Sequence, residues 1–207
     1  MQRPMMRLHW SSRSPFVRKV MVVAHEAGVA GRIERIPTVV ALTKPDPEVL
    51  RRNPLGKIPT LLLEDGKAFY DSVVICEYLD GLGGAARLFP AAGPARIESL
   101  RRHALGNGAM DFLLLWRGEL GRAAPDQRIL NNFAAKLSAL LAALEADADE
   151  LSAGPFEIGR VAIGCALSYL DFRWPEAGWR AGHPALAAWH AGFAARPSVQ
   201  ATEHVDA

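Results

Sequence analysis

Ile58-Pro59-Thr60-Leu61-Leu62-Leu63-Glu64-Asp65-Gly66-Lys67-Ala68-Phe69-Tyr70-Asp71-Ser72 is the stretch that decides the fold of the first part of the chain. Its apolar run entered through a proline reads as a strand. Asp65-Gly66 supplies the positive-φ positions of a hairpin turn. Ala68-Phe69-Tyr70 then returns as a second strand, and Asp71-Ser72 caps a helix over 73–79. Working back from there, residues 41–56 form a polar loop with a short turn at 46–50, and 33–40 is a strand made irregular by Pro37. Ser11-Ser12-Arg13-Ser14-Pro15 is a helix-start signal, because a hydroxyl caps a free N–H and proline at the first helical position loses nothing. The helix runs over 15–27 with Val17, Val20, Met21, Val23 and Ala24 on a broad apolar face, and Gly28 closes it. Residues 5–9 make the first strand. The order strand, helix, strand, loop, strand, strand, helix predicts a small mixed sheet with helices on its faces, an α/β domain over 1–80.

Working forward, the pattern changes. Gly81-Leu82-Gly83-Gly84 and Phe89-Pro90-Ala91-Ala92-Gly93-Pro94 make a turn-rich connector over 81–94. Beyond it every period is helical, predicting an all-α helical bundle domain over 95–207. One helix is expected over 95–116, bent at Gly106 and Gly108. A second covers 125–146, with Leu130, Phe133, Leu137, Leu141 and Leu144 on one face. A third covers 158–170, a fourth begins near Pro184, and a polar, loose tail is expected from about 197.

Composition excludes several classes. With 24 basic and 22 acidic residues among 207, the net charge is only +2 and is spread evenly along the chain. That is too weak a field for nucleic-acid binding. No apolar run approaches the roughly 18 to 20 residues of a membrane span, and the start lacks a signal-peptide core, so a cytoplasmic, membrane-free protein is expected. Cys76 and Cys165 are predicted to be free buried thiols. The six histidines are scattered without metal-ligand spacing, so no metal is expected.

Three places carry candidate chemistry. At the first helix start, Ser14 is the first choice, with Ser11 and Ser12 as alternatives, to steady an anion such as a thiolate beside free N–H groups. At Ile58-Pro59, a cis bond would free the backbone of Ile58 for a ligand. At Asp71-Ser72, a helix start offers a carboxylate site and Asp71 an ammonium partner. Read locally, ordinary capping or an edge proline accounts for each better than a ligand site does.

Taken together, Ser14-Pro15-Phe16-Val17-Arg18-Lys19-Val20, Asn53-Pro54-Leu55-Gly56-Lys57-Ile58-Pro59, and Asp71-Ser72 with Ile75 and Tyr78-Leu79 resemble the N-terminal domain of soluble glutathione transferases. Gly164-Cys165-Ala166-Leu167-Ser168-Tyr169-Leu170-Asp171-Phe172-Arg173 and Arg196-Pro197-Ser198 are similar to the bacterial members. The resemblance implies a thioredoxin-like first domain and a homodimer. It also implies glutathione as co-substrate, held by Lys57, Ile58, a cis Pro59, Asp71 and Ser72. Ser14 matches the serine that donates to the glutathione sulfur, which attacks a small hydrophobic electrophile, a detoxification chemistry. A non-catalytic ligand-holding relative is the alternative from another class, and peroxidase or isomerase turnover are lesser ones. A cysteine at the first helix would favour disulfide chemistry, and there is none. Trp10, Met110, Leu114 and Trp116 are candidates for the second-substrate wall, with Tyr169 and Arg173 weaker ones and Asp111 near the γ-glutamyl end. The sequence departs from the family at the 158–170 helix. Glu157 stands where family members carry a Ser or Thr cap and Arg160 where they carry Asp, which predicts either a helix start held in another way or a less stable domain.

Overall fold

Met6 and Leu8 are buried on either side of the exposed Arg7 in β1 (Met6–Trp10), so the strand's apolar side faces a core. In this computed structural model, which describes residues 5–41, 44–84 and 87–206, β1 is central to a four-stranded sheet of order β2-β1-β3-β4. β2 (Ile33–Pro37) pairs parallel to β1 with Met6 opposite Ile33. β3 (Thr60–Leu62) pairs antiparallel, with Leu8 opposite Leu61, and β4 (Ala68–Phe69) follows it through the Asp65-Gly66 turn. The parallel pair requires a crossover, supplied by α1 (Pro15–Glu26). Gly28, at φ +70°, lets the chain leave that helix. α1 packs on α3 (Ser72–Leu82), and Val20, Ile75 and Leu79 have no exposed surface.

The polar loop over 41–56 holds more structure than a turn. Asp46 accepts from the N–H groups of Glu48 (2.8 Å) and Val49 (3.0 Å), and with Pro47 behind it starts a six-residue helix, α2 (Pro47–Arg52). Leu42 and Thr43 of that loop, Ala85 and Ala86 of the connector, and the first four residues lie outside the described set.

The chain divides into two units, but not at residue 80. One unit is Met1–Pro90 together with Ser198–Ala207, and the other is Ala91–Pro197. The stretch after α3 stays with the first unit because the buried carboxylate of Asp80 accepts from Leu88 N–H (2.8 Å) and Phe89 N–H (3.2 Å). The tail is not loose either. Ser198 Oγ donates to Glu26 Oε1 (2.5 Å), Arg18 Nη2 to Val199 O (3.3 Å) and Ser12 Oγ to Val205 O (2.7 Å). His204 Nδ1 donates to Ser12 O (2.8 Å). Ser198 and Val199 are buried.

The second unit is helical: α4 (Gly93–Leu120), α5 (Gln127–Ala146), α6 (Ala148–Ala153), α7 (Ile158–Arg173) and α8 (Pro184–Ala194). A short α9 (Pro197–Gln200) begins the return to the first unit. α4 is continuous through Gly106 and Gly108. Gly106 serves packing: a Cβ there would stand 2.5 Å from the carbonyl carbon of Ala162, so its absence lets α4 and α7 cross closely. Phe133, Leu140, Leu141 and Leu144 of α5 face inward. By length and a mean hydropathy of 1.2, α5 is long and apolar enough to cross a membrane, which the sequence reading did not find. Cys76 and Cys165 are free and buried, as expected.

The start of α7 is held in its own way. Glu157 is the cap, its Oε2 accepting from Gly159 N–H (2.6 Å) and from Ser99 Oγ, and its Oε1 from Arg160 N–H (3.1 Å). Arg160 turns back and donates to the carbonyls of Glu150 (2.6 Å), Leu151 (2.8 Å) and Pro155 (2.7 Å), and to Glu157 itself (3.3 Å). The inverted pair thus caps both the start of α7 and the end of α6.

Candidate functional site

Strand β1 ends at Trp10, and the chain turns through three serines that adopt three different roles. Ser14 N–H donates to Ser11 O (3.2 Å), closing the turn. Ser14 caps α1 by accepting from Val17 N–H at 3.3 Å, a long bond that leaves its own proton without an acceptor among the described residues. Ser11 Oγ accepts from Arg13 N–H at 3.3 Å. Ser12 commits its single proton to Val205 O. Ser14 and Ser11 therefore keep a donor, and Ser12 does not.

Arg18 is buried at 7% exposure against the Val199 carbonyl, and Lys19 is fully buried with its ammonium over the Phe16 ring (5.8 Å). His9, beneath the turn, donates from Nδ1 to Thr38 Oγ1 (3.0 Å), whose own proton goes to Ile36 O (2.8 Å). Burial holds His9 below the usual imidazole range, against a smaller pull from Asp46. His25 is lowered by burial first and by Arg35 second.

The loop before β3 is organised by Asn53. Its amide donates to Lys57 O (3.1 Å) and Thr60 Oγ1 (3.0 Å), and its Oδ1 accepts from Leu55 N–H (3.0 Å). Thr60 Oγ1 donates to the same Lys57 carbonyl (2.8 Å), and Gly56 turns at φ +62°. The Ile58-Pro59 bond is cis. Ile58 lies outside the ladder, which begins at Thr60, and among the described residues its main chain makes no hydrogen bond. Pro59 is buried beside a half-buried Ile58 and an exposed Lys57. At the next helix start Asp71 is the cap, accepting from Val73 N–H (2.9 Å), and Ser72 is the first helical residue, 2% exposed. Asp71 is exposed, so one of its carboxylate oxygens is open to a cation.

In the helical unit the wall candidates divide. Met110 has no exposed surface and is core, so it offers nothing to a second substrate; its apolar character reflects helix packing. Tyr169 is likewise fully buried. Leu114 is half-buried. Trp116, also half-buried, lies against Phe133 (ring centroids 6.1 Å) and Trp174 (5.4 Å). Arg173 stacks on Phe172 (4.0 Å), and Asp111 is exposed on α4. Ser168, His190 and Asp171 converge as in a hydrolase triad, but the proton is on the wrong side. Arg180 Nη2 donates to His190 Nδ1 (3.2 Å), so Nε2 carries the hydrogen and donates to Ser168 Oγ (3.0 Å) instead of taking its proton. Among the described residues no metal-ligand cluster is present.

Two family models, for the N-terminal domain (residues 13–82) and the C-terminal domain (residues 126–192) of glutathione S-transferases, together match most of the chain. The uncharacterized GST-like protein YibF of Escherichia coli K12 is 31% identical over 96% of this chain and 98% of its own length. The chain belongs to the glutathione S-transferase family. A glutathione transferase family member from Pseudomonas fluorescens Pf-5, solved with bound glutathione, is 41% identical with a TM-score of 0.92, over 97% of this chain and 99% of that one. A second Pseudomonas fluorescens Pf-5 structure, with bound S-(propanoic acid)-glutathione, is 40% identical (TM-score 0.88; 97% and 100% coverage). A glutathione S-transferase from Methylobacillus flagellatus KT with GSH bound is 35% identical (TM-score 0.86; 97% and 100%).

In this glutathione S-transferase family member the three places expected to carry chemistry, Ser14, Ile58-Pro59 and Asp71-Ser72, all lie in the first unit, and the Ile58-Pro59 bond is cis as expected. Sequence reading missed Asn53 and Thr60, which hold the loop under Ile58. The only signal was Asn53 standing between a short helix and Pro-Leu-Gly. It also missed the return of 198–205 to the Ser12 turn, for which no local signal exists.

Proposed function

We propose that this chain is a glutathione transferase. Glutathione would bind in the first unit, its cysteinyl backbone pairing with the uncommitted main chain of Ile58. Its γ-glutamyl carboxylate would sit at the start of α3 by Ser72, its ammonium beside the exposed Asp71, and Lys57 would add a cation. The observation that carries the reading is the donor left over at Ser14: a cap bonded at 3.3 Å whose proton has no acceptor among the described residues. Glutathione bound by family members over nearly the whole chain length supports the ligand.

The mechanism has a physical scale. A free thiol ionises near ~8.5. A hydrogen bond to a charged group contributes roughly 1.5–3 kcal/mol, and about 1.4 kcal/mol shifts a pKa by one unit. Donation by Ser14 to the thiolate lowers the sulfur's pKa by about one to two units, so the ionised share of bound glutathione at pH 7 rises from a few per cent to between about a quarter and three-quarters. Ser14 stays protonated throughout, and the sulfur attacks an electrophilic carbon of a small hydrophobic substrate. Ser11 is the alternative donor. Leu114 and Trp116 offer apolar surface on the helical unit and Trp10 on the first.

Conjugation of an activated aryl halide, with ultraviolet absorbance of bound thiolate in wild type and Ser14→Ala, tests this. A lost thiolate signal and slowed conjugation are expected. An unchanged rate removes Ser14 and transfers the role to Ser11. Tight glutathione binding without conjugation makes the chain a ligand-holding module. A homodimer belongs to the same proposal and is read by sedimentation equilibrium.

A further inference from the structure

The first unit contains a cavity of about 650 Å³ between the β1–α1 turn, the end of β2 and residues 200–205. Its size falls in the range of small-molecule sites, about 300–1,000 Å³. Among the described residues three arginines line it, Arg13, Arg18 and Arg35, against one acidic residue, Glu203. Arg18 is buried and anchored on Val199 O. Arg35 is exposed, its guanidinium 5.5 Å from the Trp10 ring centroid. Trp10 and Val205 also line the cavity, and Val205 is held by the Ser12 bond to its carbonyl. An apolar wall rimmed by an excess of arginine recognises an apolar body bearing an anion. Guanidinium forks match a planar carboxylate, and a recessed, positively lined cleft concentrates anions. Ser11, whose carbonyl holds Ser14 N–H, also lines the cavity, so the cavity adjoins the helix start that carries the proposed sulfur donor.

We propose that this cavity receives the electrophile, and that the electrophile is a small halogenated aromatic or alkyl carboxylate, its acid group held by Arg13 and Arg35 and its body against Trp10. The inference rests on the transferase reading and names its substrate class. In the step it implies, the glutathione thiolate forms a C–S bond while the leaving halide departs with its bonding pair. The thiol proton has already gone to solvent.

The test separates binding from turnover. Glutathione conjugates of para-fluoro-meta-nitrobenzoate and of its methyl ester are titrated calorimetrically into wild type, Arg13→Gln/Arg35→Gln and Glu203→Gln. The acid conjugate is expected to bind about tenfold tighter than the ester. That ratio falls to about one in the double arginine variant and rises in Glu203→Gln. Equal binding of acid and ester by wild type overturns the inference, as does a loss in the double variant shared equally by free glutathione. Turnover of the two fluoroarenes, each normalised to its uncatalysed rate, is measured alongside. If neither is conjugated, the transferase reading fails while the binding ratio still decides the cavity.

Discussion

Two helix starts in this chain solve the same problem in opposite ways. At α7, the Glu157 carboxylate takes two N–H groups and the Ser99 hydroxyl, and Arg160 fills three carbonyls around it; both side chains are about 95% buried. At α1, Ser14 takes one N–H at 3.3 Å and keeps its proton. The first start is saturated and closed, as a structural joint must be, since buried charge without partners is costly. The second is left partly unsatisfied at a half-buried turn, and unused hydrogen-bonding capacity is what a ligand needs.

The comparison breaks most readily at α7. Glu157→Ala leaves Arg160 buried without its carboxylate and is expected to lower stability by about 3–5 kcal/mol in a thermal melt. Arg160→Asp, which restores the family's acid at that position, is expected to destabilise by about 3 kcal/mol because three carbonyl bonds are lost; a gain in stability would show that the guanidinium is not the joint. At α1 the expected signature is reversed. Ser14→Ala slows conjugation about 10- to 100-fold, following the loss of a charge-assisted bond, yet lowers the unfolding free energy by under about 1 kcal/mol.

A smaller effect is expected from pH. The pKa values of His9 and His25 lie below that of free imidazole, so in the acidic window below about 6.5 the unfolded chain binds more protons than the folded one. Stability contributed by these neutral rings is present above that window and is lost as pH falls through it. Protection of the β1 amides, taken relative to their intrinsic exchange at each pH, should therefore fall between about pH 7 and pH 5.5, and His9→Gln should flatten the response. The smallest effect is reserved for exposed pairs. Arg101 bonds to Glu98 and Asp147 at the surface, and Arg101→Ala is expected to shift stability by less than about 0.5 kcal/mol.

What was legible in the sequence was local. Ser14-Pro15, Asp65-Gly66 and Asp71-Ser72 each declare a helix start or turn with groups that act within three residues, and each formed, though at the hairpin only Gly66, not Asp65, takes a positive φ. Even the α7 start was legible as a departure, though not its remedy. Arg160 finds its carbonyls in the region of α6, a short helix whose six residues give too little periodicity to read. Met110 shows the limit for the site. On a helix, an apolar residue lining a pocket and one filling a core have the same spacing, and only burial separates them. The 198–205 segment was illegible because its partners, Ser12, Arg18 and Glu26, stand more than 170 residues away.

That segment also sets an order of events during synthesis. The sheet and its two helices leave the ribosome first, the helical unit follows, and only then come the residues that close over Ser12 and Arg18. The nascent first unit must therefore wait, with its serine turn uncovered, until more than a hundred further residues have been translated. At about 5–20 residues per second that interval lasts roughly 5–20 seconds, far longer than collapse of so small a sheet. The unit that precedes the helical one is thus completed after it.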